Sequence, residues 1–77
     1  MSETDRVRWQ CRRGMLELDL VLARFLERHF ADLPADQCAA FKALLAYSDS
    51  VLWDLISGRL EPEPGAIASV VGLLRER

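Results

Sequence analysis

An all-α fold, a compact bundle of five short helices, is what this sequence predicts, and three observations predict it. Apolar residues recur at intervals of three and four along most of the chain. Turn-forming residues cut that pattern into short pieces at Gly14, Leu33-Pro34, Ser48-Asp49-Ser50, Gly58 and Glu61-Pro62-Glu63-Pro64-Gly65. The length of 77 residues, with 51% hydrophobic and 29% charged, suits one folded domain over 1–77 and excludes a second. A domain this small buries only about 60% of the surface its unfolded chain exposes, so its core is thin.

The first helix is expected to start near Ser2 and Thr4, whose hydroxyls are N-cap acceptors, with Glu3 and Asp5 in its first turn. Val7, Trp9 and Cys11 alternate with Arg8, Gln10 and Arg12, which also fits a strand. Nothing else in the chain could pair with that strand, and an isolated one is not stable. As a helix, the segment sets Val7 and Cys11 on one face and should run to Gly14.

A second helix is expected over Met15 to Phe30. Leu18, Val21, Leu22, Phe25, Leu26 and His29 fall on one broad arc, with Glu17, Arg24 and Arg28 opposite. Asp19 breaks the division, because it falls between Leu26 and Phe30 at the edge of the apolar arc. A carboxylate there needs a partner. Backbone N–H groups at the helix start and the arginines just upstream are the available donors.

Pro34 or Ala35 opens a third helix, with Cys38, Phe41, Leu44 and Leu45 as its inward stripe. Oxygens from Ser48 to Ser50 cap a fourth, which turns Leu52, Leu55 and Ile56 inward, packs Trp53 beside them and stops at Gly58. Beyond the stiff Pro-containing linker, Ile67, Val70, Val71 and Leu74 give the fifth its core face.

Composition removes several function classes. No apolar run approaches the roughly 18 residues of a membrane span, and the start of the chain has no basic-then-apolar signal region, so membrane insertion and export are not expected. Cys11 and Cys38 lack CxxC spacing and read as reduced thiols of a cytoplasmic protein. A net charge of −2 and a pI near 5.3 argue against a nucleic-acid binder. That average hides an asymmetry: residues 6–13 carry four arginines (Arg6, Arg8, Arg12, Arg13) and no acid. A local basic patch on an acidic chain points to a specific partner surface or an anion.

Catalytic patterns are missing. His29, the single histidine, reads as a packed residue near a helix end rather than a ligand or base. No group has zinc-ligand spacing, Gly14 alone makes no phosphate loop, and Cys11 beside arginines has no orienting partner. Glu17 and Asp19 point about 200° apart on a helix and cannot share general acid and base work. The chain is therefore not expected to be an enzyme. What stands out instead is the stretch Trp9-Gln10-Cys11-Arg12-Arg13-Gly14-Met15-Leu16-Glu17-Leu18-Asp19, which joins permissive backbone to both signs of charge. Trp9, among arginines on a helix with little apolar surface, suits a partner anchor.

That eleven-residue stretch closely resembles the hallmark of the SdhE/YgfY family, the flavinylation assembly factors of succinate dehydrogenase. The family's RGxxE motif falls on Arg13, Gly14 and Glu17, with Asp19 matching the aspartate that follows. The resemblance extends to the Phe41, Leu44, Leu45 stripe, to Asp49, Leu52 and Trp53, and to Gly58. It implies a five-helix bundle that holds no cofactor stably. It implies binding to the flavoprotein subunit of succinate dehydrogenase, and often of fumarate reductase, to promote covalent attachment of FAD to a histidine of that partner. The FAD is then bound by the partner. Arg13, Gly14 and Glu17 are the first candidates for the docking surface, followed by Arg8, Trp9, Arg12, Met15 and Asp19, in a chain expected to act as a monomer. Leu16 stands where some relatives have a polar residue, and the chain stops after the fifth helix without the tail many relatives carry. The alternative reading is a small regulatory interaction module of the antitoxin kind.

Overall fold

The computed structural model describes residues 2–76, the side chains of Glu3 and Thr4 excepted, so the capping expected of Thr4 and the charge placed at Glu3 lie outside the described residues. Five α-helices follow one another: α1 (Glu3–Gln10), α2 (Leu16–Arg28), α3 (Ala35–Leu44), α4 (Asp49–Ser57) and α5 (Ala66–Leu74). A 3-10 turn over Phe30–Asp32 links α2 to α3, and the described residues contain no strand.

Local chemistry sets most of these boundaries. The Ser2 hydroxyl accepts the Asp5 N–H at 3.1 Å and starts α1, and the Ser48 hydroxyl accepts the Val51 N–H at 3.3 Å and starts α4. Gly58, at a φ of +88°, ends α4 in the left-handed conformation that glycine adopts without penalty.

Three boundaries differ from the sequence expectation. Helix α1 stops at Gln10 and is capped by Cys11, short of Gly14. The Arg13 and Gly14 N–H groups turn to Asp19 instead of continuing the helical ladder. Helix α2 starts at Leu16, with Met15 in extended conformation before it, and gives way after Arg28 to the tighter 3-10 turn. That turn brings the Phe30 ring to 5.8 Å from Phe41, centroid to centroid.

The core is one cluster to which every helix contributes. Helix α5 lies at its centre, packing most closely on α3 and also touching α2 and α4. Leu18, Leu22, Phe41, Leu44, Leu52 and Val70 are fully enclosed, and the Phe25 and Phe41 rings meet at 4.5 Å. The inward face of α3 includes Ala40, while Cys38 is only half-buried. Trp53 and Ile67 pack at the rim. Helix α1 is fastened by little: among its described side chains Val7 is the one buried, followed by Cys11 at the cap.

His29 packs as a structural residue. Its ring stands 5.6 Å from Phe25, and Nε2 lies 3.5 Å from a Glu76 carboxylate oxygen. That contact is an ion pair only when the imidazole is protonated, and Nε2 otherwise has no hydrogen-bond partner among the described residues.

Candidate functional site

The chain between α1 and α2 is non-helical, and two side chains hold it. Asp19, in the first turn of α2, reaches back so that its carboxylate accepts the Arg13 N–H at 2.8 Å and the Gly14 N–H at 3.2 Å. This resolves the carboxylate that fitted neither face of the helix. Its partners are backbone donors of the preceding loop, not an arginine side chain. The placement also sets a negative charge at the helix N-terminus, where the helix dipole favours it.

Arg13 is the second fastening. Its Nε donates to Asp49 Oδ1 at 2.5 Å, and its two terminal nitrogens donate to the Leu45 and Tyr47 carbonyls at 2.7 and 2.5 Å. These acceptors are the carbonyls of the α3 C-cap and of the turn after it, together with the first residue of α4, so one guanidinium ties the junction to the α3–α4 turn. With its side chain 14% exposed, Arg13 does not present a free cation to a partner's acidic group or phosphate, as the sequence had suggested. The planar fork suits this task because it satisfies three acceptors in one plane.

Gly14 sits between these two fastenings at a φ of +85° and is exposed. A Cβ built there meets nothing within 4 Å, so the constraint on this position is conformational rather than steric. The open space in front of it leaves the backbone approachable. Glu17 is exposed one turn away, and Met15 is half-buried against the core. On the α1 side Arg8, Trp9 and Arg12 are all exposed, with Trp9 at 72%. The structure therefore brings Gly14, Glu17, Arg8, Trp9 and Arg12 to the surface, while Arg13 and Asp19 form the frame that holds them.

Two features of this region escaped the sequence reading. Leu16 and Leu20 are 73% and 61% exposed, on the side of α2 away from its buried arc. Their signal was legible as two leucines four apart on a face expected to be polar. Between α1 and α2 runs an open groove of about 590 Å³, with Leu20, Ala23 and Leu26 among its lining residues and Arg8, Arg12 and Glu27 beside them. The second missed feature is Asp49, whose bond to Arg13 spans 36 positions that no local pattern connects.

Cys11 closes the inner side of the junction. It is 3% exposed, and burial pushes its thiol up to about 11, with nearby Arg13 pulling the other way and Asp19 adding to the rise. A thiol held protonated in this way is a poor nucleophile. Both cysteines are free. No described helix is long and apolar enough to cross a membrane.

Comparison with known proteins gives one consistent result. Residues 5–77 match the family model described as flavinator of succinate dehydrogenase. The FAD assembly factor SdhE of Coxiella burnetii is 37% identical over 71 residues, covering 92% of this chain and 87% of the relative. The FAD assembly factor SdhE of Methylococcus capsulatus is 39% identical over 75 residues, with coverage of 97% and 90%. That of Legionella pneumophila strain Lens is 41% identical over 73 residues, with coverage of 95% and 91%. No solved structure matches the chain.

Proposed function

Since this chain belongs to the family of succinate dehydrogenase flavinators, we propose that it binds the apo-flavoprotein subunit of succinate dehydrogenase through the α1–α2 junction and promotes covalent attachment of FAD there. The observation that carries the reading is the exposed Gly14 backbone, held in place by Arg13 and Asp19 and flanked by Glu17, Arg8, Trp9 and Arg12. Such a surface lets a partner's backbone approach closely while charges of both signs fix its orientation.

Bond formation belongs to the flavin and to a histidine of the flavoprotein, and FAD stays on that partner. The contribution of this chain is to bind one domain arrangement of the apo-subunit and hold it competent for the reaction. Arg13 acts within that task as a positioning residue. The same surface serves the flavoprotein of fumarate reductase, and the protein acts as a cytoplasmic monomer without catalysis of its own.

The test follows covalent flavin by in-gel fluorescence, using purified apo-flavoprotein subunit with the wild-type chain, Gly14→Arg or Glu17→Ala. Circular dichroism confirms that each variant is folded. Wild-type chain should accelerate flavinylation, and both variants should be impaired, Gly14→Arg the more severely. Unchanged flavinylation by folded Gly14→Arg would falsify the assignment of this surface.

A further inference from the structure

We infer that the docking surface continues past the Gly14 loop into the groove between α1 and α2, and that the groove takes an acidic, amphipathic segment of the flavoprotein. This rests on the functional reading above and extends it to residues outside the motif. Leu16 and Leu20 stand one turn apart on α2 and are 73% and 61% exposed. With Ala23, also exposed, they form an apolar stripe running from the docking loop along the open side of the helix. A small domain gains nothing from leaving two neighbouring leucines in water, and such a patch marks an interaction surface.

Charge identifies the occupant. Arg6, Arg8 and Arg12 are all exposed on or just beyond α1, and none has an ion-pair partner among the described residues. Arg13, by contrast, is fully engaged inside the chain. Arg8 and Arg12, one turn apart, border the groove next to Leu20 and Leu26. Apolar side chains with carboxylates along one edge are therefore what this groove complements. Glu27, also lining the groove, repels an occupant that is acidic on both edges. A second copy of this chain fits poorly, because it would bring the same arginine-lined rim against itself in a two-fold contact.

The experiment measures binding of purified apo-flavoprotein subunit by calorimetry to wild-type chain, Leu20→Asp, Leu20→Ala, Leu16→Asp and Arg8→Glu/Arg12→Glu, each checked for an unchanged melting temperature. Because the altered side chains are exposed, all variants should fold. Leu20→Asp should weaken binding by at least about tenfold and Leu20→Ala by less, as expected for exposing versus truncating a buried leucine. The double arginine reversal should weaken binding and flatten its salt dependence. If wild-type chain fails to bind the subunit, the functional reading itself fails. If wild type binds, Gly14→Arg does not, and the leucine and arginine variants bind like wild type, only the groove assignment falls. Self-association of the wild-type chain that Leu20→Asp abolishes would also overturn it, in favour of a second copy.

Discussion

The α1–α2 junction and the α4–α5 linker are fastened alike. Each contains glycine at positive φ, Gly14 in one and Gly58 and Gly65 in the other. In each, an arginine from elsewhere in the fold or from the junction itself reaches backbone carbonyls. Arg13 bonds those of Leu45 and Tyr47, and Arg75 bonds Leu55 at 2.9 Å and Leu60 at 3.3 Å. They differ in what they leave outside. The linker surrounds its own groove of about 490 Å³ with Pro62, Pro64, Glu61 and Glu63. The α1–α2 junction presents exposed arginines, Trp9 and a leucine stripe along with an approachable backbone. Two loops can thus share a way of being held while presenting different surfaces, and the exposed neighbours are what separate them.

The widest gap between them should appear on removing each arginine. Arg13→Met leaves two carbonyls and Asp49 without their donor in a half-buried site, and it should destabilise the fold by about 3 kcal/mol. Urea denaturation measures the loss, and flavinylation should fall with it. The glycines come next. Gly14→Ala and Gly58→Ala each force a Cβ into left-handed backbone, at a cost of about 1–2 kcal/mol by thermal melting. Their functional outcomes should part, with flavinylation impaired by Gly14→Ala and normal with folded Gly58→Ala. Gly14→Asn, which tolerates that backbone better, should recover most of the lost stability. Equal flavinylation by the two alanine variants would erase the distinction between the junctions.

Arg75→Met should cost about 1 kcal/mol, since one well-formed bond and two longer contacts are lost, and flavinylation by the folded variant should stay at the wild-type level. The smallest effect is confined to alkaline pH. Cys11 holds its proton more tightly folded than unfolded, so its contribution to stability is complete below its ordinary value of 9.0 and is lost as pH rises towards about 11. Melting temperatures of wild type and Cys11→Ala across that range should converge as pH rises. A constant difference between them would show that the thiol is not kept neutral by burial.

Much of this fold was legible because helical periodicity and capping are local. Ser48, Gly58 and the Leu52, Leu55, Ile56 stripe needed no knowledge of the rest of the chain. The end of α1 was not local. Gly14 has the chemistry of a helix stop, yet the helix ends earlier because Asp19 captures two N–H groups that would otherwise extend it. Arg13 was readable as important and misread in direction, since its acceptors lie 32 to 36 positions downstream. Leu16 and Leu20 carried a visible signal that an accounting of the inward arc alone passed over. Candidate residues could thus be nominated by type and spacing, while the division between frame and face required the tertiary structure.

That long reach of Arg13 has a consequence for the order in which the molecule is made. The guanidinium finds its acceptors only after Tyr47 and Asp49 have been synthesised and the turn between α3 and α4 has closed. Until then, among the described residues, Asp19 is the side chain that hydrogen-bonds the α1–α2 loop. A nascent chain that has released α1 and α2 from the ribosome therefore carries every motif residue without yet displaying them in their final arrangement. On the proposed function, docking through this loop would wait until most of the chain exists.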